Sequence, residues 1–248
     1  DSSTSRGLGD VYKSQVIAPD LRGLGDSSRP LNGYDKKTVA NDVWQLMNEV
    51  LGFGTFFVVG HDWGGPPAYA LAAAHPDTVT KLEILDVTVP GCGGDFSEGG
   101  RRWHHQFHST LDLPEALIHG REKVYLGWFY STFAYVPNAI TEVDINEYVR
   151  TYSQPGAMRA GFSYYRELPK DIEDNLENIK RLKLPMPVLA VGGGVSYPHG
   201  RGRGEQTQDS LRRVANNVEG RVFDNCGHFI PEEAPKRLNE ELISFFSK

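Results

Sequence analysis

The stretch Thr55-Phe-Phe-Val-Val-Gly-His-Asp-Trp-Gly-Gly65 joins a short apolar run to a group of glycines around one aspartate. The apolar run, residues 55–59, is β-branched and aromatic and lies between glycines, which is typical of a buried strand. An alanine-rich helix is predicted soon after it, over residues 68–75. Glycines on both sides of Asp62 leave room for a sharp turn between the strand and the helix. The stretch therefore predicts that Asp62 is presented at a helix N-terminus.

Strand and helix patterns alternate on both sides of this turn. Upstream, residues 15–19 are predicted to form a strand, and residues 38–51 have apolar side chains at helical spacing. Downstream, the patterns predict strands over 81–89, 187–191 and 221–223 and helices over 205–216 and 232–246. This order predicts an α/β fold with a mostly parallel sheet and right-handed crossovers.

A long segment without strand signals interrupts this order. Residues 95–180 are rich in aromatic side chains at roughly helical spacings and show little alternation. We therefore expect a helical cap over 95–180, inserted into an α/β core whose two parts are residues 1–94 and 181–248. A ligand is expected in the cleft between the core and the cap.

Composition excludes several classes of protein. The 248 residues include 26 Lys+Arg and 32 Asp+Glu, so the net charge of −6 does not favour general nucleic-acid binding. No apolar run approaches the roughly 20 residues of a membrane-spanning helix. We expect that the polar N-terminus carries no secretory leader, and the two cysteines are too few for a disulfide framework. We expect a cytoplasmic protein, for which a homodimer is one possible assembly.

Asp62 is a candidate nucleophile because of its position and its charge. A carboxylate is ionised at neutral pH and can displace a leaving group from saturated carbon, which forms an alkyl-enzyme ester. The backbone N–H groups of a helix N-terminus favour that ionised form. The alternative is an aspartate that merely caps a helix in a tight glycine turn.

A base and a carboxylate to orient it are expected at other strand ends. His228 follows the last predicted strand and precedes the final helix, where it can activate the water that hydrolyses an ester on Asp62. The loop after the strand over 187–191 contains no carboxylate before Glu205. Asp86, at the end of the preceding strand, is therefore the candidate that orients His228. Turn formation without a catalytic role is the alternative for both residues.

The cap contributes further candidates. His104, His105 and His108 lie within five residues, but no third ligand accompanies the pair at positions 104 and 108, which disfavours a zinc site. Tyr164 and Tyr165 follow on a later predicted helix. A tyrosine O–H and a histidine N–H that converge over the nucleophile could donate to a developing alkoxide.

From about Val16 to the C-terminus, the chain resembles the α/β-hydrolase-fold epoxide hydrolases, whose close relatives are the haloalkane and haloacetate dehalogenases. The motifs that carry the resemblance are Val16-Ile-Ala-Pro-Asp-Leu-Arg-Gly-Leu-Gly-Asp-Ser-Ser-Arg-Pro30, Gly60-His-Asp-Trp-Gly-Gly65, Trp103-His104, Leu113-Pro-Glu-Ala-Leu117, Tyr164-Tyr165-Arg166 and Gly227-His-Phe-Ile-Pro-Glu232.

The resemblance implies a role for each candidate. It implies Asp62 as nucleophile, His228 as base and Asp86 as its acid partner, with Tyr165 and His104 as donors to the epoxide oxygen. It further implies that the backbone N–H of Trp63 belongs to an oxyanion hole and that the substrate pocket includes Trp103, Tyr164 and Phe229. The implied substrates are a small-molecule epoxide and water, without a cofactor or a metal ion.

Two alternative functions remain open at this point. Arginines expected after the nucleophile of a fluoroacetate dehalogenase are replaced by Trp63 and Pro66, which excludes that activity. A haloalkane dehalogenase needs two N–H donors for the halide, and the indoles of Trp63 and Trp103 are candidates. The early His-Gly element of the family is absent, so we expect that N-terminal strands are missing from this chain. A non-catalytic, hydrolase-derived ligand-binding protein is the other alternative.

Overall fold

The structure is a computed structural model that describes residues 15–93, 98 and 100–247. In these residues the sheet has four strands in the order β1-β2-β3-β4, all parallel. The strands are β1 (Phe56–His61), β2 (Val79–Leu85), β3 (Leu184–Gly193) and β4 (Ala215–Phe223). The parallel sheet predicted from the order of elements is confirmed.

Helices cover both faces of the sheet. On one face, α1 (Lys36–Trp44), which continues as a π-helical segment (Gln45–Val50), packs with α2 (Gly65–Ala74) and α9 (Gln206–Val214). On the other face lie the short α10 (Ile230–Glu233) and α11 (Pro235–Ser247). Neighbouring residues of β3 alternate between these two cores, because successive side chains of a strand point to opposite faces.

The described helices between β2 and β3 form a separate layer over one end of the sheet. They are α3 (Trp103–Ser109), α4 (Leu113–Ile118), α5 (Glu122–Phe133), α6 (Glu142–Tyr152), α7 (Ala157–Arg166) and α8 (Leu168–Arg181). We refer to them as the cap. The predicted start of the cap at residue 95 lies outside the described residues. A small cluster of Tyr34, Val39, Ala160 and Tyr164 packs the cap against the core.

Three local predictions are wrong. Residues 15–19 form no strand, because no neighbouring strand in the described part of the chain pairs with them. The helix predicted to end at residue 216 ends at Val214, because Ala215 already pairs with Leu184 of β3. The helix predicted over 232–246 is divided between α10 and α11 at Pro235, which cannot donate a backbone hydrogen bond.

The strand β1 is also less buried than its sequence suggests. It forms one edge of the described sheet, and the side chains of Phe57 and Val59 are 43% and 39% exposed. An uninterrupted apolar run therefore does not correspond to burial on both faces here. Among the described helices, all are too short or too polar to span a membrane.

Candidate active site

Three of the candidate residues lie at the carboxyl ends of parallel strands. Asp62 directly follows β1, Asp86 directly follows β2, and His228 lies in the loop after β4. The carboxyl ends of parallel strands meet at one edge of a sheet, which is where open α/β sheets bind their ligands. The topology thus brings together three side chains that are far apart in the sequence.

The turn around Asp62 depends on two of the flanking glycines. Asp62 has a φ of 45°, in the left-handed region that a non-glycine residue seldom adopts. A Cβ atom at Gly60 would lie 2.5 Å from the carbonyl oxygen of Gly64, and one at Gly65 would lie 2.3 Å from Val87. A Cβ at Gly64 would meet no atom within 4 Å. Sterics therefore require glycine at positions 60 and 65 of the motif.

Asp86 is held by backbone donors as well as by a side chain. Like Asp62, it has a left-handed backbone, with a φ of 48°, and its side chain is fully buried. Its Oδ1 accepts hydrogen bonds from the backbone N–H groups of Gly193 (2.8 Å) and Arg203 (2.6 Å). Its Oδ2 lies 2.7 Å from Nδ1 of His228. With Nδ1–H donated to Asp86, Nε2 of His228 is oriented toward Asp62.

His228 lies between the two carboxylates. Its Nε2 is 3.6 Å from Oδ1 of Asp62. Its backbone N–H donates to the carbonyl of Phe133 in the cap (3.1 Å), and its own carbonyl accepts from Nε2 of His61 (2.8 Å). The Asp62 side chain is 40% exposed, whereas that of His228 is 4% exposed, so the cavity gives access mainly to Asp62.

The two sides of the Asp62–His228 pair shift each other's pKa. Burial alone would raise the pKa of Asp62, but the positive charge and the hydrogen bond of His228 outweigh it and hold this pKa well below its usual range. Burial also opposes the charged form of His228. The charges and hydrogen bonds of Asp62 and Asp86 nevertheless raise the pKa of His228 to about 9. The resting site therefore contains an ionised Asp62 and a protonated His228 at neutral pH.

On the cap side, Tyr165 faces the turn at Asp62. Its ring lies edge-on to the ring of Trp63, with centroids 4.6 Å apart. An indole N–H can only donate, so Trp63 stabilises the ionised form of Tyr165 and opposes the rise in its pKa. Burial and the charge of Asp62 raise the pKa of Tyr165 well above its ordinary value. Tyr165 is therefore a phenol with its own O–H left to donate into the cavity.

The three histidines of α3 are uncharged at neutral pH. Burial lowers the pKa of His104 to about 2, of His105 to about 4 and of His108 to about 3. Nδ1 of His104 is buried without a hydrogen-bond partner, while Nε2 of His108 lies 2.5 Å from the hydroxyl of Tyr125. Over residues 15–93, 98 and 100–247, no group of three or more His, Cys, Asp or Glu side chains could hold a metal ion.

A cavity of about 410 Å³ lies between the strand ends and the cap. Asp62, Trp63, His104, Tyr165 and His228 all line it. So do Tyr164 and Phe229, two of the predicted pocket residues. The hydroxyl of Tyr164 donates to the backbone carbonyl of Arg22 (2.8 Å), so this phenol is engaged outside the reaction centre.

Trp103 is the predicted pocket residue that does not reach the cavity. Its side chain is 42% exposed, and its ring packs on Trp128 and Phe129. His104 and His105 both line the cavity. Because successive helix residues point about 100° apart, Trp103 is about 100° from His104 and about 200° from His105, and so turns away from the cavity.

Sequence reasoning missed several residues that build the site. His61 donates a hydrogen bond to the carbonyl of His228. Its position directly before Asp62 in the motif could have identified it from the sequence. The backbone N–H groups of Gly193 and Arg203 carry no such signal, because any residue supplies one. Tyr152 also lines the cavity, where burial and then the charge of Asp62 raise its pKa to about 12.

Comparisons with known proteins agree with this geometry. A family model for the alpha/beta hydrolase fold matches residues 10–235. The soluble epoxide hydrolase of Corynebacterium sp. (strain C12) is 40% identical over 242 residues, which are 94% of this chain and 80% of that protein.

Two solved structures are similar over most of the chain. Epoxide hydrolase CorEH without ligand has a TM-score of 0.83 and 38% identity, and the match covers 92% of this chain and 80% of that one. Cfl2 wild-type from Burkholderia cenocepacia has a TM-score of 0.82 and 38% identity, covering 92% and 77%. These relationships argue against a non-catalytic binding protein. The chain belongs to the α/β-hydrolase fold family, and it is an enzyme of the epoxide hydrolase type.

Proposed function

We propose that this enzyme opens small-molecule epoxides to vicinal diols through an alkyl-enzyme ester on Asp62. The observation that carries the proposal is the alignment of Asp62, His228 and Asp86 at adjoining strand ends, with Asp62 accessible from a largely apolar cavity. A carboxylate in such a position suits attack on a neutral, electrophilic carbon, because it needs no base to activate it.

In the first half-reaction, an oxygen of Asp62 attacks one epoxide carbon and the bond from that carbon to the ring oxygen breaks. The ring oxygen becomes an alkoxide and takes a proton from the O–H of Tyr165. The N–H donated by Trp63 helps to hold the resulting phenolate. His104 is the second donor, and its neutral imidazole can donate one N–H to the same oxygen.

Ester formation itself prepares His228 for the second half-reaction. The charge of Asp62 disappears when the ester forms, so one of the two carboxylates that raise the pKa of His228 is lost. His228 then gives up a proton to solvent while the Tyr165 phenolate takes one up, so the net protonation of the site is unchanged. Neutral His228, oriented by Asp86, can take a proton from water.

In the second half-reaction, the hydroxide formed in this way attacks the carbonyl carbon of the Asp62 ester. The backbone N–H of Trp63 is proposed to stabilise the tetrahedral oxyanion. The intermediate expels the product oxygen, which takes a proton from His228. The Asp62 carboxyl then returns its proton to His228, which restores the resting ion pair and releases the diol.

Haloalkane dehalogenation is the less well supported alternative. It needs two N–H donors at the halide, and the candidates were the indoles of Trp63 and Trp103. The Trp63 indole is engaged with Tyr165, and Trp103 lies outside the cavity. A phenol suits an alkoxide better than a halide, because an alkoxide must be protonated on leaving and a halide need not be.

The proposal is tested by trapping the ester. His228→Gln, mixed with styrene oxide, is expected to accumulate a peptide containing Asp62 that is heavier by the mass of the epoxide, as read by mass spectrometry. Ester hydrolysis falls by about 10²- to 10⁴-fold in this variant. His119→Gln, which changes an exposed cap histidine, should turn over as the wild type does.

Two outcomes would contradict the proposal. Folded wild-type protein and His228→Gln could both show no adduct and no diol with a panel of terminal and aryl epoxides. Alternatively, 1-bromohexane could give halide release from an enzyme that leaves every epoxide intact, which would support the dehalogenase. An Asp62→Ala variant that still formed the adduct would show that another residue is the nucleophile.

A further inference from the structure

Lys36, the first residue of α1, is a charged side chain buried inside the protein. It is 3% exposed, and its partner Asp171 in α8 of the cap is 2% exposed. The backbone N–H of Lys36 donates to Oδ1 of Asp171 (2.8 Å), and its ammonium group donates to Oδ2 (2.6 Å). The pair joins the core to the cap through both oxygens of one carboxylate.

The same ammonium group also contacts the carbonyl of Tyr34 (3.4 Å) and the ring of Tyr164, and two other contacts lead toward the active site. It donates to the backbone carbonyl of Tyr164 (2.7 Å), in the last turn of α7. It also lies over the indole ring of Trp63, 4.7 Å from its centroid. Carbonyl groups at a helix C-terminus carry partial negative charge, and the face of an indole attracts cations. Both contacts therefore favour a positively charged group over a neutral one.

These contacts reach the immediate neighbours of two groups in the proposed reaction. Trp63 follows Asp62 in the chain, and Tyr164 precedes Tyr165. The rings of Trp63 and Tyr165 are themselves in edge-on contact, with centroids 4.6 Å apart. A shift of the ammonium group would move the nucleophile turn and the proton donor relative to each other.

Stability alone does not account for this pair. Replacing a buried ion pair by apolar side chains of similar volume is often neutral or stabilising, because both charges lose their hydration on folding. An ammonium group with a carboxylate, a carbonyl and an aromatic face around it is directional in a way that apolar packing is not.

We propose that Lys36, held by Asp171, is a positioning residue for the ring-opening step: its ammonium group fixes Tyr165 of the cap over Asp62 of the core through Tyr164 and Trp63. The inference rests on the proposed function. It predicts a larger effect on ester formation than on ester hydrolysis, because Tyr165 acts as proton donor only in ester formation, and Asp86 and His228, which activate the water, lie outside these contacts.

The first test removes the charge without leaving a buried carboxylate alone. In Lys36→Met/Asp171→Asn, the amide oxygen can still accept from the backbone N–H of residue 36. Rapid-quench mass spectrometry with styrene oxide is expected to show ester formation slowed by roughly 10- to 100-fold. The ester hydrolysis rate should be slowed roughly tenfold less than ester formation.

Lys170→Met is the matched control. Lys170 also links α8 to the N-terminus of α1, through an ion pair with Asp35 at 2.9 Å, but it is half exposed and contacts neither Trp63 nor Tyr164. Ester formation should change by no more than about twofold in this control. Equal losses in the control and the double variant, or equal losses in both half-reactions, would overturn the inference.

The pH dependence of ester formation in Asp171→Asn is a second test, and it leaves Lys36 in place. Asp171, Glu167 and Asp35 are the carboxylates that face the ammonium group, and burial already lowers the pKa of Lys36. Neutralising Asp171 lowers it further. Ester formation relative to wild type should therefore decline as pH rises, because the ammonium group loses its proton.

The two proposals fail in different ways. If wild-type protein forms no ester, the proposed function is wrong. The positioning role of Lys36 is wrong if wild type forms the ester and two further results hold. The rate of ester formation in Asp171→Asn, divided by that of wild type, is constant across pH. The folded double variant forms the ester at the wild-type rate. Circular dichroism melting curves establish that each variant is folded.

Discussion

The core side of the cavity holds its reactive groups by hydrogen bonds at strand ends, whereas the cap side holds its groups mainly by contacts between aromatic rings. On the core side, Asp86 accepts two backbone N–H groups and a histidine. On the cap side, Tyr165 lies among the rings of Trp63, His104 and His108, at centroid distances of 4.6, 5.9 and 4.3 Å.

This difference bears on how each side tolerates change. A hydrogen bond to a buried carboxylate has one suitable geometry, and an unpaired partner left behind costs about 1–3 kcal/mol. Contacts between rings are individually weaker and numerous, so a substituted ring is partly compensated by its neighbours. We therefore expect large, step-specific losses from core substitutions and smaller losses from most cap substitutions.

The largest effect is expected on the core side, from Asp86→Asn. The amide would present N–H to Nδ1 of His228 and favour the tautomer whose Nε2 carries a proton, so that Nε2 cannot accept one from water. Ester hydrolysis should fall on the order of 10³- to 10⁴-fold, with a much smaller change in ester formation, in single-turnover mass spectrometry.

The control for Asp86→Asn is Asp224→Asn, an exposed aspartate directly after β4. It should behave as the wild type does. A hydrolysis rate for Asp86→Asn within tenfold of wild type would remove Asp86 from the mechanism and leave it a structural role at the strand end.

Tyr165→Phe tests the cap side by removing one group, the O–H that is the proposed proton donor. Loss of its O–H should slow ester formation by roughly 10²- to 10³-fold, as for other oxyanion donors, and leave ester hydrolysis nearly unchanged. Tyr135→Phe alters an exposed tyrosine of the cap and serves as the control. An unaffected rate of ester formation in Tyr165→Phe would assign proton donation to another group.

The pH dependence of stability measures the ion pair on the core side. The folded pKa of His228, about 9, lies above its ordinary value of 6.5. Its contribution to the free energy of unfolding is therefore complete below about pH 6.5 and is lost as pH rises through about 9. Relative to His228→Gln, wild type should lose roughly 3 kcal/mol across this window in urea unfolding.

An Asp62→Asn variant sharpens that measurement. It removes the larger of the charges that raise the pKa of His228, so the loss of stability should end at lower pH and be smaller in total. If the unfolding free energies of wild type and His228→Gln change in parallel from pH 6 to 10, Asp62 and His228 do not form the ion pair described.

The smallest effect is expected from Trp103→Phe on the outer side of the cap. Because Trp103 lies outside the cavity, both half-reactions should stay within about twofold of wild type in the same single-turnover assay. A loss of tenfold or more would place this indole in the binding site and revive the haloalkane alternative.

The sequence provides stronger reasons for the candidates on the core side than for those on the cap side. The glycines around Asp62, and the absence of a carboxylate after β3, lead to Asp62 and Asp86 through local rules about turns and strand ends. The cap residues have no comparable rule. An aromatic residue on an amphipathic helix looks the same whether it faces solvent, core or ligand, as Trp103 and Tyr165 illustrate.

Local sequence patterns also could not predict how exposed the side chains of β1 are. The apolar run of Phe57 and Val59 has the composition of a central strand, yet these side chains lie at the edge of the described sheet. The sequence specifies that a strand forms, but its neighbours in the sheet decide what its side chains contact.

By itself, the sequence determined the alternation of strands and helices, the tight turn at Asp62 and the residue types available for the chemistry. These depend on backbone conformation and on spacing along the chain, both of which are local. Only the tertiary structure decided that Lys36 contacts Trp63 and Tyr164, that Gly193 and Arg203 hold Asp86, and that Trp103 lies outside the cavity. Such contacts join residues that are distant in sequence, and their geometry follows from the packing of whole elements.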